Sequence, residues 1–104
     1  DNTGQLKAKD KVTITSEAGI FTNAGHVSSE KSGITITVAK EITNKAAGII
    51  EANGELTITS EDRGITNNGQ IITKAGDLTL TADGDITNNQ LIQSAAGLNI
   101  TSTK

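Results

Sequence analysis

His26 is the one histidine of the chain, and no cysteine accompanies it. A histidine works as a general base only with a positioned nucleophile beside it. No Ser/His/Asp or Cys/His pattern surrounds His26; it takes the place that Gln70 and Gln90 hold in later stretches and reads as a solvated, turn-side residue. Carboxylates gather at Asp83-Gly84-Asp85, expected to stack near Glu61-Asp62 of the preceding repeat. Clustered carboxylates offer the oxygen ligands that Ca2+ prefers. Here the Gly-Gly-x-Gly-x-Asp calcium pattern is missing and Arg63 lies alongside, so an ordinary acidic turn is the better reading. Asn99-Ile100-Thr101 has the form of a glycosylation sequon, yet it is also the fifth copy of a recurring strand. Two carboxylates could cleave a glycoside, but Phe21 is the sole aromatic and no platform for a sugar ring exists. No catalytic residue, metal or other cofactor is expected, and the chain does not read as an enzyme.

One surface pattern is broader. Thr13/Thr15, Thr35/Thr37, Thr57/Thr59 and Thr79/Thr81 recur with Asn99/Thr101 behind them. On stacked strands they would form two outward columns, ~4.8 Å apart between strands and ~6.6 Å along a strand. Flat Thr-x-Thr arrays resemble the faces of β-helical ice-binding proteins. The competing reading is that threonine suits the outer side of a strand and pairs well with threonine across it. That reading is preferred.

The elements that would carry these residues follow from a repeat. Val12-Thr13-Ile14-Thr15, Ile34-Thr35-Ile36-Thr37, Leu56-Thr57-Ile58-Thr59, Leu78-Thr79-Leu80-Thr81 and Leu98-Asn99-Ile100-Thr101 begin at 12, 34, 56, 78 and 98. Interleaved with them, Phe21-Thr22-Asn23, Ile42-Thr43-Asn44, Ile65-Thr66-Asn67 and Ile86-Thr87-Asn88 recur at the same spacing, with Asn2 as a first copy. Two markers sharing a period of about 21 residues indicate a solenoid of about five units. Strict alternation in the first marker predicts strands, and no stretch has a helical apolar stripe. Glycine, asparagine and aspartate punctuate each unit into three short strands. One unit cannot bury its own apolar side, so stacking is obligatory. The chain is therefore expected to form a parallel β-helix of about five coils, a rod about 24 Å long at ~4.8 Å per coil.

In that frame Ile14, Ile36, Ile58, Leu80 and Ile100 point into the core, because a slip of one residue would turn the threonines inward. Asn23, Asn44, Asn67 and Asn88 fall at an inner corner, where side-chain amides could bond up and down the rod. The middle strand is ambiguous: Ile49/Ile50, Ile71/Ile72 and Leu91/Ile92 each offer two adjacent apolar residues of which one must face out. The composition agrees with a narrow aliphatic interior: 34% hydrophobic residues, with no Pro, Cys, Met, Trp or Tyr. A net charge of −3 without a Lys/Arg cluster argues against nucleic acid. No apolar run approaches the ~18 residues of a membrane span. The chain starts and stops partway through units, as expected of a piece of a longer one.

Gly-Asp-Leu-Thr-Leu-Thr-Ala at 76–82, the opening Asp1-Asn2-Thr3-Gly4, and Ile-Thr-Asn-Asn-Gly-Gln at 65–70 resemble filamentous haemagglutinin repeats. Lys9-Asp10-Lys11 and Glu30-Lys31-Ser32-Gly33 depart from the glycine-rich turn of that pattern. The resemblance spans residues 1–104 as one repeat segment and implies a right-handed parallel β-helix, a hand that parallel crossovers favour generally. It implies a stalk of a secreted, bacterial cell-surface exoprotein of two-partner secretion, exported through an outer-membrane transporter. Such an exoprotein would present a distal adhesive region or a contact-dependent growth-inhibition toxin. Adjacent coils of the full-length chain are the expected partners; a host or bacterial receptor or glycan touching the segment itself is the alternative.

Overall fold

A computed structural model describes residues 2–103 and contains fourteen strands and no helix among them. Asp1 and Lys104, at the two ends of the expected first turn and last unit, lie outside the described residues. The first coil holds β1 (Gln5–Ala8) and β2 (Val12–Ser16). The second holds β3 (Phe21–Asn23), β4 (His26–Ser29) and β5 (Ile34–Val38), and the third β6 (Ile42–Asn44), β7 (Ile49–Ala52) and β8 (Leu56–Ser60). The fourth holds β9 (Ile65–Asn67), β10 (Gln70–Thr73) and β11 (Leu78–Ala82), and the fifth β12 (Ile86–Asn88), β13 (Leu91–Gln93) and β14 (Leu98–Ser102).

Every strand pairs in parallel with its equivalent one coil away, which builds three sheets. The first runs β3-β6-β9-β12, with Asn2 bridging to Asn23 in place of a fifth strand. The second runs β1-β4-β7-β10-β13 and the third β2-β5-β8-β11-β14. This is the β-solenoid of five turns and three strands per turn that the period requires. The charged turns at Lys9 and Glu30 do not interrupt it, since Glu30 N–H donates to Ala8 O and Lys31 N–H to Lys9 O at 2.9 and 2.8 Å.

Alternation decides what is inside. In β8, Leu56 and Ile58 are buried while Thr57 and Thr59 face out, and β5 and β11 repeat the pattern. Ile36, Ile58 and Leu80 stack in register as one fully buried column. The middle strand resolves the same way: Val27, Ile50, Ile71 and Ile92 form the inner column, so Ile49, Ile72 and Leu91 face out. Each Leu or Ile removed from water contributes about 1.5–3 kcal/mol.

Two residues expected in the core depart from it. Ile100 stands in register with Leu80 but is 49% exposed, and Ile14 is only partly buried. Both point inward; they lie on β14 and β2, the edge strands of the third sheet, and half of their contact surface has no strand beyond it.

Candidate functional site

The most continuous side-chain assembly is a file of asparagines at the corner between the first and second sheets. Asn2 Nδ2 donates to Asn23 Oδ1 at 2.9 Å, Asn23 to Asn44 at 2.9 Å, Asn44 to Asn67 at 2.8 Å and Asn67 to Asn88 at 2.8 Å. Backbone carbonyls fix which way each amide points. Asn67 Nδ2 also faces Gly69 O in its own coil and Leu91 O in the next, at 3.1 and 2.9 Å. Asn23 and Asn44 repeat the arrangement with Gly25, Ile49, Gly48 and Gln70. An oxygen there would face other oxygens, so the nitrogen must occupy the site. Asn23, Asn44 and Asn67 are buried, whereas Asn88, on the edge strand β12, is exposed.

Reading the sequence missed the column beside this file. Gly4, Gly25, Gly48 and Gly69 each follow a file asparagine, and their carbonyls accept its second N–H. A Cβ on Gly48 would lie 2.2 Å from Asn44 Oδ1, and one on Gly69 2.2 Å from Gly48 O, so only glycine fits the close approach of coils. The signal was legible as Asn-x-Gly at 2–4, 23–25 and 67–69, but a two-residue insertion, Ala46-Ala47, hides it in the third coil. Gln90 breaks the column in the fifth.

The threonines line up as two columns on the outer side of the third sheet. Thr13, Thr35, Thr57 and Thr79 are in register and continue to Asn99; Thr15, Thr37, Thr59 and Thr81 continue to Thr101. Thr22, Thr43, Thr66 and Thr87 form a third column on the first sheet. Asn99 of the sequon is exposed within the first of these columns.

The outer side of the second sheet is different. Lys7 and Glu30 pair at 3.4 Å, and Glu51 is held between His26 Nε2 and Lys74 Nζ, each at 3.3 Å. These residues line a shallow groove of about 390 Å3. His26 is in register with Ile49, and through it with Gln70; the residue of the fifth coil in that column is Leu91, while Gln90 aligns with Gly69. That is a correction of one residue. His26 has a carboxylate beside it but no nucleophile among its hydrogen-bonding partners.

The acidic turns stack as their spacing implies: Asp83 N–H donates to Ser60 O and Gly84 N–H to Arg63 O at 3.2 and 2.7 Å. Asp62 pairs with Lys40 at 3.4 Å instead of joining Asp83. Among the described residues no three histidine or carboxylate groups converge on a point that would hold a metal ion.

A family profile described as a haemagglutinin repeat matches residues 1–104. The chain belongs to the haemagglutinin repeat family. Searches of curated proteins and of solved structures returned no match. In this haemagglutinin repeat chain the Leu-Thr-Leu-Thr stretch builds the third sheet, while Ile-Thr-Asn builds the first sheet and the asparagine file. The family is one of structural and adhesive proteins of the filamentous haemagglutinin type.

Proposed function

We propose that this haemagglutinin repeat segment is a stalk: a rigid spacer of a secreted, cell-surface exoprotein that holds a distal adhesive or toxic region away from the cell. The observation that carries the reading is the unbroken register of three parallel sheets over five coils. Apolar side chains are spent on stacking, and among the described residues no buried side-chain nitrogen or oxygen lacks a partner. Ser60 Oγ donates to Lys40 O at 2.5 Å, Thr73 Oγ1 to Gly76 O at 2.7 Å, and Ser29 Oγ to Asp10 O. A scaffold satisfied within itself transmits length, and it exposes little that would select a ligand.

The test is excision of one coil, residues 56–77, from the full-length exoprotein. Leu56 and Leu78 are register partners, so the cut rejoins equivalent positions. A spacer keeps the distal activity and shortens by about 4.8 Å. Loss of binding with secretion intact would overturn the stalk and favour direct contact with a receptor or glycan. That second reading rests on the second sheet, where Lys7, His26, Glu51 and Lys74 adjoin outward-facing Ile49 and Ile72. Glu51→Lys would abolish binding under it and leave a spacer unaffected.

A further inference from the structure

Two asparagines of the chain are followed directly by glycine, Asn53 and Asn68. That dipeptide has a chemistry of its own. Glycine has no Cβ to hold the two groups apart, so its main-chain nitrogen can reach the carbonyl carbon of the asparagine side chain. Once that nitrogen gives up its proton it attacks Cγ. A C–N bond closes a five-membered succinimide, and the Cγ–Nδ2 bond breaks with loss of ammonia. Water then opens the ring at one carbonyl or the other. One product is aspartate; the other is isoaspartate, in which the main chain runs through Cγ.

The fold treats the two sites differently. Asn68 is half-buried beside the asparagine file, and its Oδ1 accepts from Asn89 Nδ2 at 2.7 Å. Gly69 is buried, its N–H donates to Asn67 Oδ1 at 3.2 Å, and a Cβ on it would lie 2.2 Å from Gly48 O. Closing a ring there means taking the file apart.

Asn53 is exposed on the turn between β7 and β8, and its side chain has no hydrogen-bonding partner among the described residues. Gly54 N–H donates to Ser32 O at 2.7 Å and Asn53 N–H to Ser29 O at 3.2 Å, main chain to main chain. Exposed turns open locally at less cost than buried corners. Releasing the bond to Ser32 frees Gly54 N without disturbing an inner column. The turn also has room for the longer main chain of isoaspartate. It spans three residues, 53–55, whereas the turns stacked on either side, 30–33 and 74–77, span four.

We infer that Asn53 is a site of spontaneous modification, converting through a succinimide to aspartate and isoaspartate while the coils stay stacked, and that the fold protects Asn68 from the same reaction. The conversion changes the surface. Asn53 follows Ala52, which pairs with Ser29 and Thr73, so it stacks between Glu30 and Lys74. It lines the same groove as Glu51, whose carboxylate pairs with Lys74 Nζ at 3.3 Å. A carboxylate at position 53 adds a negative charge to the outer side of the second sheet, and adds it irreversibly.

Ageing of the folded chain at mildly alkaline pH, followed by tryptic mass mapping and isoaspartyl methyltransferase labelling, tests this. Cleavage after Lys45, Arg63 and Lys74 places Asn53 as the sole asparagine of 46–63, and Asn68 with Asn67 in 64–74. The expected result is that 46–63 exchanges amide for acid and takes up label severalfold faster than 64–74. In denaturant both peptides should convert at similar rates. Conversion of 64–74 as fast as 46–63 in the folded chain would overturn the protection of Asn68. A folded chain in which 46–63 stays an amide, while the denatured chain converts, would overturn the site itself. Asn53→Gln, at an exposed side chain without a partner, should keep the strand signal in circular dichroism and abolish the change in 46–63. The acidic form of the parent, separated by anion exchange, should keep that strand signal as well; its loss would refute the claim that the coils survive the conversion.

Discussion

Residues of one type in one repeat position do not carry equal weight, and the asparagines show why. Asn67 is buried, donates to three acceptors and accepts from both Asn44 Nδ2 and Gly69 N–H. Asn67→Ala leaves the buried Gly69 N–H without its acceptor and takes from the Asn44 amide the shortest of its three contacts, a buried loss costing roughly 1–3 kcal/mol. Asn88→Ala removes an exposed amide at the file's end and should cost under about 1 kcal/mol. Denaturant titration of the two variants should separate them clearly; equal midpoints would mean that the file contributes nothing. A sequence cannot make that distinction, because both residues sit in the same Ile-Thr-Asn motif. The same logic divides the core. Ile58→Asp buries an unpaired charge and should cost several kcal/mol, Thr57→Ser should stay within about 1 kcal/mol, and Ile100→Asp, half exposed, should fall between them.

Elements were legible where the alternation was strict and obscure where it was not. Leu-Thr-Ile-Thr fixes the inner and outer sides of β8 from sequence, because shifting it by one residue would bury threonine. Ile49-Ile50 carries no such contrast, and only pairing with Val27 and Ile71 assigns Ile50 to the interior. Corner length would have placed Gln90 correctly: two residues separate the asparagine from the next strand at Asn23, Asn67 and Asn88 alike, which pairs Leu91 with Gln70, and only the third coil, with four after Asn44, departs. The glycine column supplies the test at this scale. Gly48→Ala would put a methyl group 2.2 Å from Asn44 Oδ1 and 2.4 Å from Asn23 O, both parts of a tightly bonded corner. Gly4→Ala meets nothing within the chain. The first should lower the melting temperature well below that of the parent, and the second should leave a monomeric sample unchanged. If both melt with the parent, the corner has slack that the geometry does not show.

Across the whole molecule, stability is set by neighbours in one dimension. Pairing runs strand to strand between adjacent coils in all three sheets, so each coil is stabilised by the one before and the one after. The second, third and fourth coils have both, and their inner columns are buried; the first and fifth have one, and Leu6, Ile14, Leu98 and Ile100 show the deficit. Lengthening the stack should therefore stabilise it without any new kind of contact. Duplicating residues 56–77 in tandem keeps the register, since Leu56 and Leu78 are equivalent, and adds one interior coil with Leu56, Ile58, Ile65 and Ile71 on its inner side. The longer chain should melt higher by several degrees, as a gain of about 1 kcal/mol shifts a domain of this size by roughly 4–8 °C. Native-state hydrogen exchange should follow the same gradient, with β5 and β8 most protected and the edge strands β2, β12 and β14 opening first. Far-ultraviolet circular dichroism of both chains should show strand and no appreciable helix. A duplication that leaves the melting temperature unchanged, with uniform exchange along the rod, would mean that the ends are as stable as the middle. The coils would then owe their order to local sequence and not to stacking, which the half-exposed Ile100 argues against.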